Sequence, residues 1–424
     1  MKRRPKRTTP ESRLGGRFWV LWTGSTASNL GDGVLSLVIP WTVASMTSNA
    51  TLVAIVAFLS RLPWLMLSML AGYTADLFRR SAVLLWSTGI RIGILAAFLS
   101  LGMTGHLNVI AIATIAFLLS VCELATDIAA SSITPELVNK ERLGRANSTL
   151  RSAEIVTNDF AGQPVGGALL ALSPAAPIVA SVGLAATSFA CFAKLHRSED
   201  DDPRTPRLTN STRFLAGVTL IRRTLPLRMF LITNGLIMTA AGLITSIQVL
   251  FAKEVLFVDA FGFGLLAASG AVGGLVGAQV GGRVGMQDPF KLLATSLAIL
   301  SVAFASIALV RSPLIASAIF MAGSACLSFW AVVTGTLRQL LTPIDLQGRT
   351  NGVHRMITSG LSSLGLLISG VLVTTVGLYV NRAMALGASY VLAGAIVFGV
   401  LIIFVRHMGA LRAFMHAQDR TDGS

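Results

Sequence analysis

The sequence predicts an all-α membrane protein with twelve transmembrane helices in two parallel six-helix repeats. Of its 424 residues, 53% are hydrophobic and only 12% are charged, roughly half the charged share usual in soluble domains. The apolar residues are gathered into runs of roughly 20 residues, which is the length that crosses a bilayer core. A short motif also recurs later in the chain. Composition, run length and repeat therefore predict the same class of fold.

Six apolar runs form a first group and six form a second. The first group covers 18–45, 51–74, 81–101, 108–130, 149–172 and 175–195. The second group covers 227–251, 260–282, 290–310, 313–336, 354–378 and 384–405. The expected regions are a basic N-terminus at 1–17, a bundle at 18–195, a linker at 196–225, a second bundle at 226–406 and a tail at 407–424.

The linker carries four consecutive acids from Glu199 to Asp202, together with prolines and arginines. Such a composition cannot bury a core, although a surface helix is expected near Phe214 to Arg222. The basic N-terminus resembles a signal peptide, but the apolar run from Phe18 to Ala44 is too long and has no clear cleavage site. We therefore predict a retained first span.

The three cysteines each lie inside an apolar run without metal-type spacing. They are Cys122, Cys191 and Cys326. This pattern indicates neither a disulfide framework nor a metal site. We interpret them as small packing residues and expect no cofactor.

The net charge of +15 reflects membrane topology. The loop from Gly72 to Arg80 holds Arg79 and Arg80 between two apolar runs, and cytoplasmic loops carry an excess of Lys and Arg. Of the 34 cations, 29 fall on the side of Arg79, three fall on the other side and two, Arg61 and Arg91, lie within spans. The count predicts cytoplasmic termini and gives no reason to invoke a nucleic-acid partner.

Seven ionisable residues inside predicted spans of the first group are the candidates for proton coupling and substrate binding. They are Asp32, Arg61, Arg91, Glu123, Asp127, Glu154 and Asp159. Charges inside a membrane are costly and usually face a cavity or one another. Such a cluster can exchange protons or supply fixed counter-ions, whereas the alternative role is to orient helices through buried ion pairs. The second group has only Gln248 and Gln279 as notable polar groups.

Asp32 is the first candidate for the proton-coupling carboxylate. It lies between Gly31 and Gly33, near the expected membrane midplane, so neighbouring side chains do not shield it. The competing interpretation is that both glycines serve helix packing.

An internal repeat supports the division into two groups. Gly144-Arg145-Ala146-Asn147 followed by Arg151 recurs as Gly348-Arg349-Thr350-Asn351 followed by Arg355, a displacement of 204 residues. Since both copies would begin and end on the same membrane side, the repeats are parallel, as in transporters that bind substrate between two halves.

With these features, the chain resembles the major facilitator superfamily over nearly its full length. Gly72 and Asp76 match the glycine and acid of the family's loop motif, and Arg80 matches one basic position. Leu77 replaces the usual cation, and Arg79 stands where a second glycine is common. The resemblance implies that this loop, with Gly72, Asp76, Arg79 and Arg80, braces the two halves in one gating state.

A narrower resemblance is to the secretion-effector branch, which includes siderophore and drug exporters. It rests on Glu123, Asp127, Pro135, Asn147, Glu154 and Asn158, followed by Gly162-Gln-Pro-Val-Gly166-Gly167. The last segment is similar to the exporter motif Gly-Pro-x-x-Gly-Gly, with Pro164 one place later. From the residues alone, the glycines permit close helix approach and Pro164 removes a backbone hydrogen bond, which suits a bend or plain packing.

The function that we predict is secondary transport. The sequence contains no Gly-x-x-x-x-Gly-Lys-Ser/Thr loop for an ATP-driven pump and no His-Glu-x-x-His of a metalloprotease. Branch resemblance favours proton-coupled export of an amphipathic small molecule by a monomer in the cytoplasmic membrane. Uptake and a transport-inactive sensor or scaffold remain open alternatives.

Overall fold

The computed structural model describes residues 14–66, 79–139, 142–197, 212–283, 289–343 and 346–422. The first helices are α1 Gly16–Met46, α2 Ala50–Met66, α3 Arg80–Met103, α4 Val109–Leu137, α5 Leu143–Glu154, a π-helix Ile155–Gly162, α6 Gln163–Leu172 and α7 Ala176–Arg197. The following helices are α8 Thr212–Arg223, α9 Leu225–Glu254, α10 Ala260–Arg283, α11 Phe290–Ile307, α12 Pro313–Leu340, α13 Gln347–Val376 and α14 Arg382–Asp422.

The predicted fold class is confirmed. Within the described ranges, nine helices are long and apolar enough to cross a membrane. The remaining three spans are α1, α2 and the interrupted fifth span, in which α5, the π-helix and α6 follow one another without a gap. We call this interrupted element span five.

Helix ends and predicted membrane boundaries differ in two places. The helix of span five begins at Leu143, before the apolar run that starts at 149, and α14 continues to Asp422, well past the predicted end at 405. Both extensions are polar or mixed, so a helix can continue into water after it leaves the hydrocarbon. The expected surface helix is present as α8.

The chain folds as a first half, α1 to α7, and a second half, α9 to α14. Across the interface, α2 packs against α13, and α6 packs against α10. We call the membrane side on which α1 begins and α14 ends the terminal side, and the opposite side the far side. The contact of α2 with α13 runs from Thr51 and Gly370 on the far side to Leu65 and Gly360 toward the terminal side.

Close helix packing in the second half depends on glycine. A Cβ on Gly273 would collide with the Met321 carbonyl of α12, and one on Gly277 would collide with the Ala325 carbonyl. Close backbone approach by small residues is a common way for membrane helices to associate, since lipid is as apolar as the side chains. A buried hydrogen bond of 2.7 Å from Trp330 Nε1 to Asn234 Oδ1 further joins α12 to α9.

Polar residues join the two halves on the far side. Lys253 Nζ donates to the Ala44 carbonyl at 3.0 Å, and Arg382 donates to the Ser48 carbonyl. The guanidinium of Arg382 also binds Glu254, with Nε 2.7 Å from Oε2. We call Lys253, Glu254 and Arg382, with the segment 44–48 that they hold, the far-side latch.

A second polar contact supports the latch. Thr51 Oγ1 lies 3.1 Å from the Gly370 carbonyl and 2.7 Å from Thr374 Oγ1. The start of α2 is therefore fastened to the end of α13. Both contacts hold the halves together on the far side.

Candidate functional site

Among the ion pairs of the described residues, the most buried one joins Asp32 on α1 to Arg91 on α3. Arg91 Nη1 lies 2.6 Å from Asp32 Oδ1, and the two side chains are 3% and 12% exposed for Arg91 and Asp32. The same Nη1 lies 3.2 Å from Ser28 Oγ, one turn before Asp32. Breaking a buried pair leaves an uncompensated charge, so this contact ties the two helices together.

The glycines beside Asp32 let other groups approach the pair. A Cβ on Gly31 would lie 3.1 Å from Arg91 Nη2, and one on Gly33 would lie 2.5 Å from the Asn158 carbonyl oxygen. Gly31 thus makes room for the guanidinium, and Gly33 makes room for the backbone of span five. Both glycines therefore allow close packing. The approach of span five to Gly33 places Asp32 beside the crossing of α1 and span five.

Span five is irregular at this crossing. The π-helix Ile155–Gly162 ends immediately before Gln163, and Pro164 lies in the first turn of α6. Proline cannot donate the hydrogen bond to the carbonyl four residues earlier and would clash with it in a regular helix. A π-helical turn relieves this conflict, and such turns occur frequently at functional sites.

The glycines of the predicted bend motif face two partners. Gly162 packs against Gly33, and Gly166 packs against Val34, where an added Cβ would lie 2.8 Å from the carbonyl oxygen. Gly167 instead approaches the Ala260 carbonyl oxygen, with an added Cβ 2.5 Å away. The motif therefore joins α1 of the first half to α10 of the second half through one short stretch.

Two carboxylates of α4 lie near the ion pair. Glu123 interacts electrostatically with Asp32, Arg61 and Arg91, and Asp127 interacts with Asp32, Arg91 and Arg355. Glu123 and Asp127 are half-buried. Asp32, Glu123 and Asp127 thus all lie within electrostatic range of Arg91.

The other predicted ionisable residues lie at the edge of this group. Arg61 is exposed on α2 and lies within electrostatic range of Glu123. Glu154 forms an ion pair with Arg151, one turn earlier on α5, and also lies within electrostatic range of Asp127. Asp159 is in the π-helix, and its side chain lies outside the described part of the structure.

The predicted gating loop is only partly described. Gly72 and Asp76 lie outside the described residues, and Arg79 immediately precedes α3. Arg80 Nη1 donates to the Ser132 carbonyl at 2.6 Å and to Glu136 Oε1 at 2.5 Å, both on α4. The described partners of Arg80 are therefore in its own half.

The repeat-related residues have different partners in the two halves. Arg151 binds Glu154 within its own helix, and Asn147 is exposed. In the second half, Asn351 Oδ1 accepts a hydrogen bond of 3.2 Å from Arg338 Nε. Arg355 crosses to the first half, with its guanidinium carbon 5.1 Å from the centroid of the Trp64 ring.

Sequence reasoning missed Ser28, Trp64, Glu136 and the far-side latch. Ser28 could have been found from its position one turn before Asp32, and Trp64 from its position one turn after Arg61. The latch has no local signal because its members are far apart in sequence. In the described part of the chain, no group of three or more His, Cys, Asp or Glu residues could hold a metal ion.

Comparisons with known proteins place this arrangement in context. The model of a family described as transmembrane secretion effector matches residues 14–418. The chain is 24% identical over 395 residues to the multidrug efflux pump Tap of Mycobacterium tuberculosis (strain ATCC 25618 / H37Rv), covering 87% of this chain and 89% of that protein.

Two solved structures share the fold. A bacterial homologue of the iron transporter ferroportin in its inward-facing state has a TM-score of 0.70 and 16% identity, covering 92% of this chain and 98% of that one. The nucleoside transporter NupG has a TM-score of 0.71 and 13% identity, covering 93% and 99%. At these identities, the likeness establishes the fold alone.

Proposed function

The chain belongs to the transmembrane secretion effector family of the major facilitator superfamily, and on that premise we propose that it exports an amphipathic small molecule in exchange for protons. The family match confirms both resemblances seen in the sequence and makes the protein a multi-pass membrane transporter, not an enzyme. Direction, coupling ion and substrate class belong to the proposal. The observation that carries it is the buried Asp32–Arg91 pair beside the crossing of α1 and span five.

The proposed orientation has the terminal side in the cytoplasm. The cation count supports it, since 29 cations lie on that side and three lie on the far side. Each far-side cation also has a local partner: Lys253 and Arg382 belong to the latch, and Arg311 donates to the Ala308 and Val310 carbonyls. These contacts give the three cations structural roles on the far side, so their presence there is compatible with the proposed orientation.

The far-side latch is one of two places where the halves meet. It joins them on the side that would face away from the cytoplasm under this orientation, while the contact of Arg355 with Trp64 lies toward the terminal side. Alternating access then requires the latch to separate.

Asp32 is our proposed principal coupling carboxylate. Protonation removes its charge and weakens the pair with Arg91, so the contact between α1 and α3 depends on the proton. The packing of Gly33 on span five places that change beside a helix with an irregular turn. Glu123 and Asp127 lie within electrostatic range of Asp32 and are proposed to relay a proton, and Arg61 and Arg91 provide the compensating charge.

An accumulation assay tests the direction of transport. Cells that express the chain should accumulate less of at least one amphipathic dye than cells with an empty vector, and a protonophore should abolish the difference. Higher accumulation on expression would contradict export and indicate an uptake permease. An unchanged level for every dye in a broad panel would instead favour the sensor or scaffold alternative.

A vesicle assay tests the coupling residue. Asp32→Asn should bind substrate but lose transport driven by an imposed pH gradient, whereas Asp259→Asn should retain both properties. Asp259 is a suitable control because it lies exposed in the far-side connection and only caps α10. If Asp32→Asn keeps gradient-driven transport while Glu123→Gln or Asp159→Asn loses it and still binds, the coupling role belongs to that rival.

A further inference from the structure

A cluster outside the proton-coupling pair consists of Trp64 and Arg61 on α2 and Arg355 on α13. The guanidinium of Arg355 lies over the Trp64 ring at 5.1 Å, across the interface between the halves. Trp64 Nε1 is buried and has no hydrogen-bond partner. A buried indole N–H usually finds an acceptor, so this donor is unsatisfied in the structure, and a ligand atom that reaches it would supply the missing acceptor.

Arg61 adds a second guanidinium one helical turn before Trp64. It is exposed and forms no hydrogen bond or ion pair with any residue in the described ranges, although it lies within electrostatic range of Glu123. An ionisable group inside a membrane span normally faces a cavity or a partner. Its electrostatic partner, Glu123, is on α4 of the same half, so Arg61 lies within range of the acids of the site.

The α4 carboxylates provide the opposite charge nearby. Asp127 interacts with Arg355 and Glu123 interacts with Arg61, but neither combination is within ion-pair distance among the described residues. Arg61 on α2 and Arg355 on α13 therefore form no ion pair with Glu123 or Asp127 on α4 among the described residues. This separation leaves both sets of charges available for groups of a bound molecule.

We propose that Arg61, Trp64 and Arg355 form a binding site for an anionic group, and that the transported compounds are zwitterionic amphipaths. A guanidinium fork matches a carboxylate in shape and charge, the indole N–H supplies one more donor, and the ring supplies an apolar face. The cationic group of the same molecule lies against Glu123 and Asp127. This inference rests on the proposed function and deepens it by naming a substrate class.

Two dyes that differ by one carboxylate test the site. Rhodamine B is zwitterionic at neutral pH, and its ethyl ester is a cation of nearly the same size and apolar surface. Binding to the purified full-length protein is measured by fluorescence anisotropy in one detergent. The wild type should bind rhodamine B about tenfold more tightly than the ester, which corresponds to one charge-assisted hydrogen bond retained by the complex.

Variants test whether Arg61 and Arg355 cause the tighter binding of rhodamine B relative to its ester. Arg61→Gln combined with Arg355→Gln should lower rhodamine B affinity to that of the ester while the ester affinity stays constant. Arg311→Gln, which removes a far-side cation, should leave both affinities unchanged. Equal binding of the two dyes by the wild type, or an equal loss of both dyes in the double variant, would overturn the proposal.

These binding measurements are independent of transport direction and of the proton. If the accumulation assay shows no export while the dye preference depends on Arg61 and Arg355, the proposed export is wrong and the anion site remains. If export is observed while the dye preference is absent, the anion site is wrong and the exporter remains. The two failures are therefore distinguishable.

Discussion

Span five and α13 come from corresponding places in the two halves, yet they are built differently. The shared arginine is Arg151 in span five and Arg355 in α13. One turn after Arg151 comes an acid, Glu154. The corresponding position one turn after Arg355 holds Thr358, which carries no charge. Arg151 is therefore held within its own helix, and Arg355 lies over Trp64 in the other half. We therefore expect the presence or absence of a local acid to decide whether the arginine pairs within its helix or contacts the other half.

The glycine and proline positions extend the comparison. Gly166 corresponds to Gly370, but Gly166 packs on α1 of its own half and Gly370 packs on Thr51 and Ala54 of the other half. Pro164 corresponds to Ile368, and α13 is a continuous α-helix where span five contains a π-helix. Both copies thus pack on the first helix of their own half and on a helix of the other half, through Gly162 and Gly167 in span five and through Gly365 and Gly370 in α13, but the irregular copy meets its neighbours through a π-helix.

The largest effect is expected from breaking the ion pair next to the irregular copy. Asp32→Ala should leave Arg91 buried without its partner and lower the free energy of unfolding by about 3–5 kcal/mol. Glu154→Ala removes the exposed pair of span five and should cost about 1 kcal/mol or less. Thermal unfolding of both variants in one detergent measures the difference, and similar losses would show that the buried pair contributes no special stability.

An intermediate effect is expected from the helix crossings. Gly162→Ala places a methyl group against Gly33, so the free energy of unfolding should fall by about 1–3 kcal/mol. Gly365→Ala tests the corresponding crossing of α13 with α9, where a Cβ would collide with the Thr239 carbonyl. Gly183→Ala is the control, because nothing lies within 4 Å of its added Cβ.

The two crossings should differ in function although they resemble each other in stability. Gly162→Ala should slow gradient-driven transport more than Gly365→Ala does, since only the first lies beside Asp32. Equal slowing would mean that the irregular crossing has no particular link to coupling. Transport rates are compared after correction for the amount of folded protein in the vesicles.

The smallest effect is expected from making the two copies alike. Thr358→Glu restores the acid one turn after Arg355, and such helical pairs contribute about 0.2–0.5 kcal/mol. Arg355 should then spend less time over Trp64, so rhodamine B should bind up to about twofold more weakly at constant ester affinity. Thr358→Gln is the matched neutral control, and an equal decrease with glutamine would contradict the electrostatic explanation.

The positions at which the chain would bend could be predicted from sequence, but the partners of those positions could not. Pro164 and its glycines indicate a departure from a regular helix because the missing N–H and missing Cβ act locally. That Gly162 meets Gly33 while Gly167 meets Ala260 depends on where two other helices lie. Likewise, the positive loop indicated a membrane side for Arg80, but its binding to Glu136 required the position of α4.

The sequence by itself determined the fold class and its apolar spans, because hydrocarbon thickness acts along the chain. Loop charge and the internal repeat predict the direction of those spans and the division into two halves. Only the tertiary structure decided that Asp32 meets Arg91, that Glu254 meets Arg382 and that Arg355 meets Trp64. Each contact depends on the rotation of a helix about its axis, and one residue changes that direction by about 100°. In membrane helices, lipid-facing and protein-facing surfaces are both apolar, so the hydropathy pattern leaves this rotation open.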